Sequence, residues 1–333
     1  MPLLDVDDLH TAFRTRFGTV RAVNGLSFSI EQDETVAIVG ESGSGKSVMA
    51  LSIMRLLRAA NIEARGQVRF QGRNLLELPE REMRRLRGKD ISMVFQEPMT
   101  SLNPVLTVKR QINETLMLHE GLSWNEATDR SIELLRIVGI PAPERRVRDY
   151  PHQLSGGMRQ RVMIAIALAC SPNLLIADEP TTALDVTIQA QVLELMWQLK
   201  KKFRSAVMLI THDLGVVAEV ADRVIVMYAG RAVEMADVKN LFKNPRHHYT
   251  GGLLNAIPKL GSSLTEGPRQ PLYEIPGNVP SLRQNIVGCA FAPRCAAATQ
   301  VCREIGPTMD ELAPRHFAAC HHPLDAGLIK VRQ

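Results

Sequence analysis

The residues with the clearest chemical role lie at 40–47, where the sequence reads Gly-Glu-Ser-Gly-Ser-Gly-Lys-Ser. This spacing is that of a phosphate-binding loop, in which glycines let backbone N–H groups surround the phosphates of a nucleotide. Lys46 is expected to reach the β- and γ-phosphates, and Ser47 to bind Mg²⁺. A glycine-rich turn with a chance lysine is the alternative, but the strand and helix predicted on either side disfavour it. The predicted loop residues are Gly40, Glu41, Ser42, Gly43, Ser44, Gly45, Lys46 and Ser47.

Two adjacent acids, Asp178 and Glu179, follow an apolar segment at 174–177. In nucleotide hydrolases an acid at such a strand end holds Mg²⁺ and its water shell, which is the role predicted for Asp178. Glu179 can polarise the attacking water as a general base. A solvated acidic turn is the alternative, and the neighbouring phosphate-binding loop favours the catalytic role.

A second candidate phosphate-facing element begins at 154–160, which reads Leu-Ser-Gly-Gly-Met-Arg-Gln. Ser155 can cap a helix, while Gly156 and Gly157 leave backbone N–H groups open to an anion. A simple capped helix start is the alternative. A generic nucleotide hydrolase would have no use for this second element.

The elements that must position these residues alternate between strands and helices. Leu3–Leu9 and the alternating residues of 26–30 are predicted to be strands with one buried face. Residues from about 98 to 155 are predicted to form a helical insertion. Apolar runs predict buried strands at 35–39, 174–177, 207–210 and 224–227. Helical periodicity predicts helices at 46–60 and 186–203. The alternation predicts an α/β fold with a mostly parallel sheet.

The composition is that of an ordinary globular protein, with 45% hydrophobic and 23% charged residues. A net charge of +5 fits either a nucleic-acid binder or a protein at an anionic membrane face, and selects neither. The first ten residues lack the basic and apolar regions of a secretory signal. No stretch reaches the roughly 18 apolar residues of a spanning helix. We therefore expect a cytosolic protein whose membrane role goes through partners.

Together these motifs resemble those of ABC-transporter ATPases, and within them the D-type ATPase subunit of dipeptide and oligopeptide permeases. The resemblance covers nearly the whole chain and its motifs occur in the family's order. Besides the loop and the Leu-Ser-Gly-Gly-Met signature, it rests on Phe-Gln-Glu-Pro at 95–98, Ala-Asp-Glu-Pro at 177–180, Ala-Leu-Asp at 183–185 and Thr-His-Asp at 211–213.

The resemblance implies a P-loop NTPase of the ABC ATPase type. Such a fold has a RecA-like core with a parallel sheet, an antiparallel β subdomain, a helical insertion and, in this subfamily, a small Cys-rich module. The boundaries expected here are 1–257 for the ATPase domain, with the insertion at about 98–155, and 281–333 for the module. Residues 258–280 hold prolines and several glycines, which predicts an irregular connector.

The family also supplies roles for single residues. Gln96 would contact Mg²⁺ and the attacking water, and His212 would hold the γ-phosphate. Asp185 would lie at the seam of an ATPase dimer, where Ser155, Gly156 and Gly157 complete the site of the other subunit. An aromatic ring near the N-terminus should stack on adenine. Position in the predicted strand favours Phe13, whereas counting residues back from the phosphate-binding loop favours Phe17.

Two positions depart from the family's pattern. Met158 stands where many members have glutamine, which we expect to be tolerated because Ser155 and the glycines make the phosphate contacts. The segment 246–250 reads Arg-His-His-Tyr-Thr and resembles the peptide-permease His-Pro-Tyr-Thr marker, with His248 in place of proline.

Four cysteines crowd into the tail, at Cys289, Cys295, Cys302 and Cys320. In a reducing cytosol such clustering favours a metal site over disulfides. The spacing is neither a standard zinc-finger nor a standard ferredoxin pattern. Resemblance to peptide-permease ATPases implies a 4Fe–4S cluster, with zinc or unliganded buried cysteines as alternatives, and Cys170 is predicted to be plain core.

The function expected from the resemblance is the ATP-hydrolysing subunit of an importer for dipeptides or oligopeptides, at the cytoplasmic face of the inner membrane. Its partners would be a second, F-type ATPase, two transmembrane permease subunits and, indirectly, a periplasmic binding protein. Nickel, glutathione or another small cargo is an alternative. A soluble ABC ATPase that acts on nucleic acid is disfavoured, because no sustained heptads separate Lys46 from Ser155 and the chain holds one ATPase unit.

Overall fold

The computed structural model describes residues 1–57, 59–97, 101–181, 186–257 and 273–325. Asp185, the start of the predicted insertion at 98 and most of the predicted connector lie outside the described residues. Two compact units can be separated, and each is built from several stretches of chain. The first unit comprises Met1–Asp5, Ser29–Thr35 and Arg69–Ile210, and the second comprises Val6–Phe28, Val36–Val68 and Thr211–Gln333.

The strands are β1 (Leu4–Thr15), β2 (Gly18–Ile30), β3 (Thr35–Val39), β4 (Ile62–Phe70), β5 (Arg73–Asn74), β6 (Ile91–Val94), β7 (Leu174–Asp178), β8 (Ala206–Ile210), β9 (Arg223–Tyr228), β10 (Arg231–Asp237), β11 (Asp310–Ala313) and β12 (His316–Ala318). The α-helices are α1 (Lys46–Ile53), α2 (Glu80–Leu86), α3 (Val108–Glu120), α4 (Trp124–Ile137), α5 (Pro143–Arg146), α6 (Gly156–Ala167), α7 (Val186–Phe203), α8 (Leu214–Val220), α9 (Val238–Lys243), α10 (His248–Asn255) and α11 (Gln300–Glu304). Short 3₁₀ helices span Pro151–Gln153 and Ala292–Arg294.

In the first unit, β6, β7 and β8 pair in parallel and in that order. Every residue of β7 and β8 is buried, as expected of a parallel sheet that is covered on both faces. The register places Asp178 opposite Ile210, at the carboxyl ends of both strands. The described residues of 101–155 form helices α3 to α5 and a 3₁₀ turn, with no strand among them. This unit therefore contains both the acidic strand end and the helical segment.

In the second unit, β3 pairs in parallel with β9, and β10, β12 and β11 then extend the sheet antiparallel. The pairing of this sheet therefore changes from parallel to antiparallel after β9. The two-residue turn Ala229–Gly230 explains the change, because both residues have positive φ, 48° and 80°, as in a hairpin that reverses the chain. A separate sheet of this unit places β1 between β2 and β4. The cysteine-rich residues thus share a unit with the phosphate-binding loop.

Predictions of single elements are mostly confirmed. The strands predicted at 35–39, 174–177, 207–210 and 224–227 agree within one residue at each end, and the helix at 186–203 agrees throughout. The strand at Leu3–Leu9 is longer than predicted and reaches Thr15. None of the described helices is long and apolar enough to cross a membrane.

Helix α1 is shorter than the predicted 46–60. The chain turns at Arg55, whose φ of 49° lies in the left-handed region. The N–H of Leu56 donates to the carbonyl of Leu51 at 2.9 Å, and the N–H of Arg55 to that of Ser52 at 3.0 Å. This pair of bonds is a Schellman motif, which ends a helix by satisfying its last carbonyls. The prediction is wrong at this end because glycine usually marks the motif, and here arginine occupies the left-handed position.

Candidate nucleotide site

Strand β3 of the second unit leads directly into the loop at 40–47. A Cβ atom at Gly40 would lie 2.2 Å from the carbonyl oxygen of Met227, and one at Gly45 would lie 2.1 Å from that of Ala22. The φ angles of the two glycines, 151° and 100°, are also rarely adopted by other residues. Neighbouring backbone therefore requires glycine at both positions and fixes the path of the loop.

The ammonium group of Lys46 binds the backbone carbonyls at the start of this loop. The residue is 6% exposed, and its Nζ donates to the carbonyls of Gly40 at 2.7 Å and Glu41 at 3.0 Å. Helix α1 starts at Lys46, and its N-cap Gly45 has no side chain to accept from the first N–H groups. Those N–H groups and the lysine direct positive charge to one place, which suits a phosphate.

His212 lies at the same end of β3. Its neighbour Thr211 donates its backbone N–H to the carbonyl of Ile38 at 3.2 Å. Asp213 then caps α8 and accepts the N–H of Gly215 at 2.9 Å. The imidazole of His212 is exposed at this turn. The second unit thus brings the predicted histidine and the phosphate-binding loop to one strand end.

The two predicted acids lie at the carboxyl end of β7 in the first unit. Asp178 is 4% exposed and ends the strand. Glu179 leaves the strand with a φ of 43°, and its N–H donates to the carbonyl of Ile210 at 2.9 Å. Nε2 of Gln96 donates to Oε2 of Glu179 at 2.9 Å. This unit therefore joins two residues that were both predicted to act on the attacking water.

The signature residues begin α6 in the first unit. The Oγ of Ser155 accepts the backbone N–H of Met158 at 3.3 Å, a bond that does not depend on the side chain at 158. A Cβ atom at Gly157 would lie 2.8 Å from Cγ2 of Ile188, so glycine permits the contact with α7. Ser155 and Gly156 are exposed. The capped start of this helix is therefore open to an anion.

Comparison with known proteins decides between these chemical possibilities. Residues 23–182 match the model of the ABC transporter family, and residues 233–302 match the C-terminal region of oligopeptide and dipeptide transporters. A probable peptide ABC transporter ATP-binding protein of Sinorhizobium fredii is 57% identical over 319 residues, which cover 96% of this chain and 94% of that protein. The chain belongs to the ATP-binding proteins of ABC transporters. It is accordingly an ATPase that binds ATP with Mg²⁺.

Further relatives agree with this assignment. The oligopeptide transport ATP-binding protein of Escherichia coli is 50% identical over 323 residues, which cover 97% of this chain and 94% of that protein. Among solved structures, a dimeric ATP-binding cassette in a post-hydrolysis state with ADP and phosphate has a TM-score of 0.63 and 29% identity. The match covers 71% of this chain and 98% of that cassette. The predicted fold class of the ABC ATPase type is therefore confirmed.

The four cysteines of this ABC ATPase's tail line one small cavity of the second unit, together with His247. Burial raises the pKa of Cys289 and Cys295, and that of Cys320 to about 11. Neighbouring thiols, among them Cys302, raise these pKa values further. Across the described part of the chain, no three His, Cys, Asp or Glu side chains are placed to hold a single metal ion. The thiols are thus close enough to interact but are not gathered around one ion.

Sequence reasoning missed two contacts to the loop of this ABC ATPase. The carboxylate of Glu41, which was assigned to the nucleotide, accepts from Arg294 at 2.7 Å. The N–H of Glu41 donates to Oη of Tyr249 at 2.8 Å. Tyr249 belongs to the marker at 246–250, which gave no role for it, and no local pattern distinguishes Arg294 from other arginines of the tail.

Glu234 is a further buried acid that the sequence did not single out. It is fully buried on β10, and its carboxylate accepts the N–H groups of Arg246 and His247 at 2.7 and 2.8 Å. Nε2 of His316 lies 2.7 Å from the same carboxylate. Glu234 therefore fixes the start of the 246–250 segment against β10 and β12.

Proposed function

We propose that this ABC ATPase is the motor of an importer that takes dipeptides or oligopeptides across the inner membrane. The observation that carries the proposal is the match of residues 233–302 to the C-terminal region of oligopeptide and dipeptide transporters. Relatives named as peptide or oligopeptide transport ATP-binding proteins, at 57% and 50% identity, support it. The proposed site of action is the cytoplasmic face of that membrane. The proposed ATPase domain is 1–257, followed by a connector to 280 and the cysteine module at 281–333.

In this function, the loop at 40–47 binds the phosphates of ATP, and Ser47 with Gln96 holds Mg²⁺. Hydroxyl, amide and carboxylate oxygens are the ligands that this hard cation prefers. Bound Mg²⁺ neutralises charge on the phosphates during hydrolysis. Glu179 takes a proton from the attacking water, and His212 holds the γ-phosphate. The bond from Gln96 to Glu179 supports the assignment, because it orients the carboxylate that acts as base.

The proposed assembly contains a second, F-type ATPase and two permease subunits, with a periplasmic binding protein as indirect partner. The exposed start of α6 at Ser155 supports a dimer, because an anion held by another subunit can reach it. The solved cassette that resembles this chain is described as dimeric. Closure of the pair on ATP would do work on the permease through the different affinity of ATP for closed and open states.

Uptake measurements test the cargo. Cells that lack this chain should lose uptake of a labelled tripeptide, and the wild-type chain should restore it. A Lys46→Ala chain should not restore it, because the ammonium that meets the phosphates is gone, whereas Lys201→Ala, on an exposed face of α7, should. Unchanged tripeptide uptake with loss of nickel or glutathione uptake would contradict the peptide cargo and leave the motor in place.

The adenine-stacking residue is proposed to be Phe17, with Phe13 as the second candidate. The Phe17 ring lies at the turn between β1 and β2 and is 64% exposed, whereas Phe13 is half-buried on β1. Guanidinium groups of Arg16 and Arg283 lie 4.5 and 5.7 Å from the Phe17 ring centroid. An exposed ring bordered by cations can stack on a base, and such stacking contributes roughly 1–3 kcal/mol.

We therefore expect Phe17→Ala to weaken ATP binding by about 5- to 150-fold, as the loss of one stacking contact implies. Phe13→Ala should change it less than Phe17→Ala. Equilibrium titration with MgATP measures both variants. The reverse ranking would make Phe13 the stacking residue.

The cysteine cavity is proposed to hold a 4Fe–4S cluster through Cys289, Cys295, Cys302 and Cys320. Four thiols are the donor set that such a cluster takes, and all four line one cavity. A backbone hydrogen bond from His322 lowers the pKa of Cys320 against the larger effect of burial. Backbone donors at the sulfurs are one of the features that set the potential of a bound cluster. Such a cluster, when bound, exchanges one electron.

His247 gives the cavity a donor that needs an acceptor. Its Nδ1 accepts the N–H of Tyr249 at 3.1 Å, so a neutral ring carries its proton on Nε2. Burial lowers the pKa of His247 to about 3, so the ring is neutral at pH 7. Within the described residues, Nε2 has no hydrogen-bond partner, although the residue is 1% exposed. Leaving such a donor unpaired costs about 1–3 kcal/mol, and cluster sulfides or cysteine thiolates would satisfy it.

A further inference from the structure

We propose that Arg294 of the cysteine-rich tail is a positioning residue for ATP, because it holds the phosphate-binding loop through Glu41. The inference rests on the proposed function of that loop as the ATP site. Arg294 does not touch the phosphates. It acts by fixing the backbone from which the phosphate-binding groups project.

The contact between Arg294 and Glu41 is a two-bond fork. Nη1 donates to Oε2 of Glu41 at 2.7 Å, and Nη2 donates to Oε1 at 3.0 Å. Planar guanidinium and carboxylate groups match in this geometry, which adds directional precision to the attraction of the charges. Glu41 is the second residue of the loop, directly after Gly40. Arg294 of the tail therefore binds the loop at its start, directly after β3.

The remaining donors of Arg294 tie it to its own surroundings. Nε donates to the carbonyl of Pro276 at 2.8 Å, Nη2 to that of Ile275 at 3.2 Å, and Nη1 to Oη of Tyr228 at 3.3 Å. Five N–H groups thus have five acceptors, and the side chain is 5% exposed. The bond to Glu41 raises the pKa of Arg294 above its ordinary value. A side chain held in this way has one orientation, so it can define the position of Glu41.

A second contact, from the 246–250 segment, supports the same part of the loop. Oη of Tyr249 accepts the N–H of Glu41 at 2.8 Å, and Tyr249 itself is fully buried. Its ring packs against those of Tyr228 and Phe291, with centroids 4.6 to 5.4 Å apart. Tyr249 of this aromatic cluster thus fixes the backbone of Glu41, while Arg294, which also bonds Tyr228, fixes its carboxylate. On the inner side, Lys46 donates to the Glu41 carbonyl.

The fork also connects the loop to the cysteine cavity. Arg294 ends the 3₁₀ turn Ala292–Arg294, which lies between two of the cavity's cysteines. The N–H of Ala292 donates to the carbonyl of Cys289 at 3.0 Å, and that of Cys295 to the carbonyl of Ala292 at 3.4 Å. A group bound by these cysteines would therefore fix the turn that carries Arg294. Through this arrangement the tail contributes to ATP binding. That role is separate from any part in cargo recognition.

The test is a double-mutant cycle on ATP affinity with the full chain. Arg294→Gln and Glu41→Gln should each weaken MgATP binding by about tenfold, the loss expected when a charged hydrogen-bonded pair is broken. The double variant should bind no more weakly than either single variant, because both substitutions remove one contact. In hydrolysis assays KM for ATP should rise more than kcat falls. Arg294→Lys should recover part of the affinity, since it keeps the charge and loses the fork.

Arg303→Gln is the matched control, because Arg303 is exposed and also neighbours a cavity cysteine, Cys302. Its ATP affinity should equal that of the wild type. Thermal unfolding identifies any variant that fails to fold. If Arg294→Gln fails to fold, the MgATP affinity of Glu41→Gln, at the more exposed end of the pair, tests the inference instead. Unchanged affinity in folded Arg294→Gln, or fully multiplicative effects in the double variant, would overturn the inference. A wild-type chain that binds no MgATP would instead overturn the proposed function.

Discussion

Replacing Glu179 by glutamine should slow ATP hydrolysis by about 100- to 10,000-fold, the range typical of a lost general base. Binding of MgATP should be retained, because the phosphate-binding loop and Lys46 are untouched. Glutamine has nearly the shape of glutamate but cannot take a proton from the attacking water. Steady-state hydrolysis and equilibrium ATP titration on the same preparation measure the two effects. The expected product is a chain that holds ATP without turning it over.

The structure indicates that Glu179→Gln keeps the local contacts of the residue. Glu179 is half-buried at the end of β7, and its backbone bond to Ile210 does not involve the side chain. Gln96, which donates to its carboxylate, can equally donate to an amide oxygen. Glu194→Gln on the exposed face of α7 is the control, and its hydrolysis rate should match that of the wild type. Brisk hydrolysis by Glu179→Gln would remove Glu179 from its assigned role.

Much of the site is predictable because its determinants are local. The positive φ angles at Gly40 and Gly45 belong to the loop itself, and the cap at Ser155 and the acid at the end of β7 each act within one turn or one strand end. A pattern of residue types is enough to identify such features. The left-handed turn at Arg55 shows the limit, because an arginine gives no sequence signal for a positive φ.

Long-range contacts escaped prediction for a physical reason. Arg294 and Glu41 are separated by 253 positions, so no periodicity or spacing links them. The marker at 246–250 was recognisable, but the tasks of His247 and Tyr249 depend on what the fold places beside them. The structure also explains why histidine can replace proline at 248 of this marker. His248 is the first residue of α10, where proline would also be favoured, so the position accepts either residue.

The second large effect concerns the cysteine cavity. Anaerobically purified protein should be brown and contain about four iron and four sulfide per chain, as one 4Fe–4S cluster requires. Replacing Cys289, Cys295, Cys302 and Cys320 together by serine should remove the visible absorption and the iron. Cys170→Ser is the matched control, since Cys170 lies in the first unit with its sulfur 4.0 Å from the carbonyl of Thr115. That variant should keep the full colour.

The metal assay separates the two sulfur-ligated candidates. Zinc needs four donors around one ion at about 2.3 Å from each sulfur, whereas a cluster separates its thiolates by the iron–sulfide core. The described residues place no three such donors around a single ion, although four thiols line one cavity. If the proposed cluster is bound, Nε2 of His247, which has no hydrogen-bond partner among the described residues, would donate to one of its sulfurs. A colourless protein with one zinc per chain would contradict the cluster and leave the ATPase assignment unaffected.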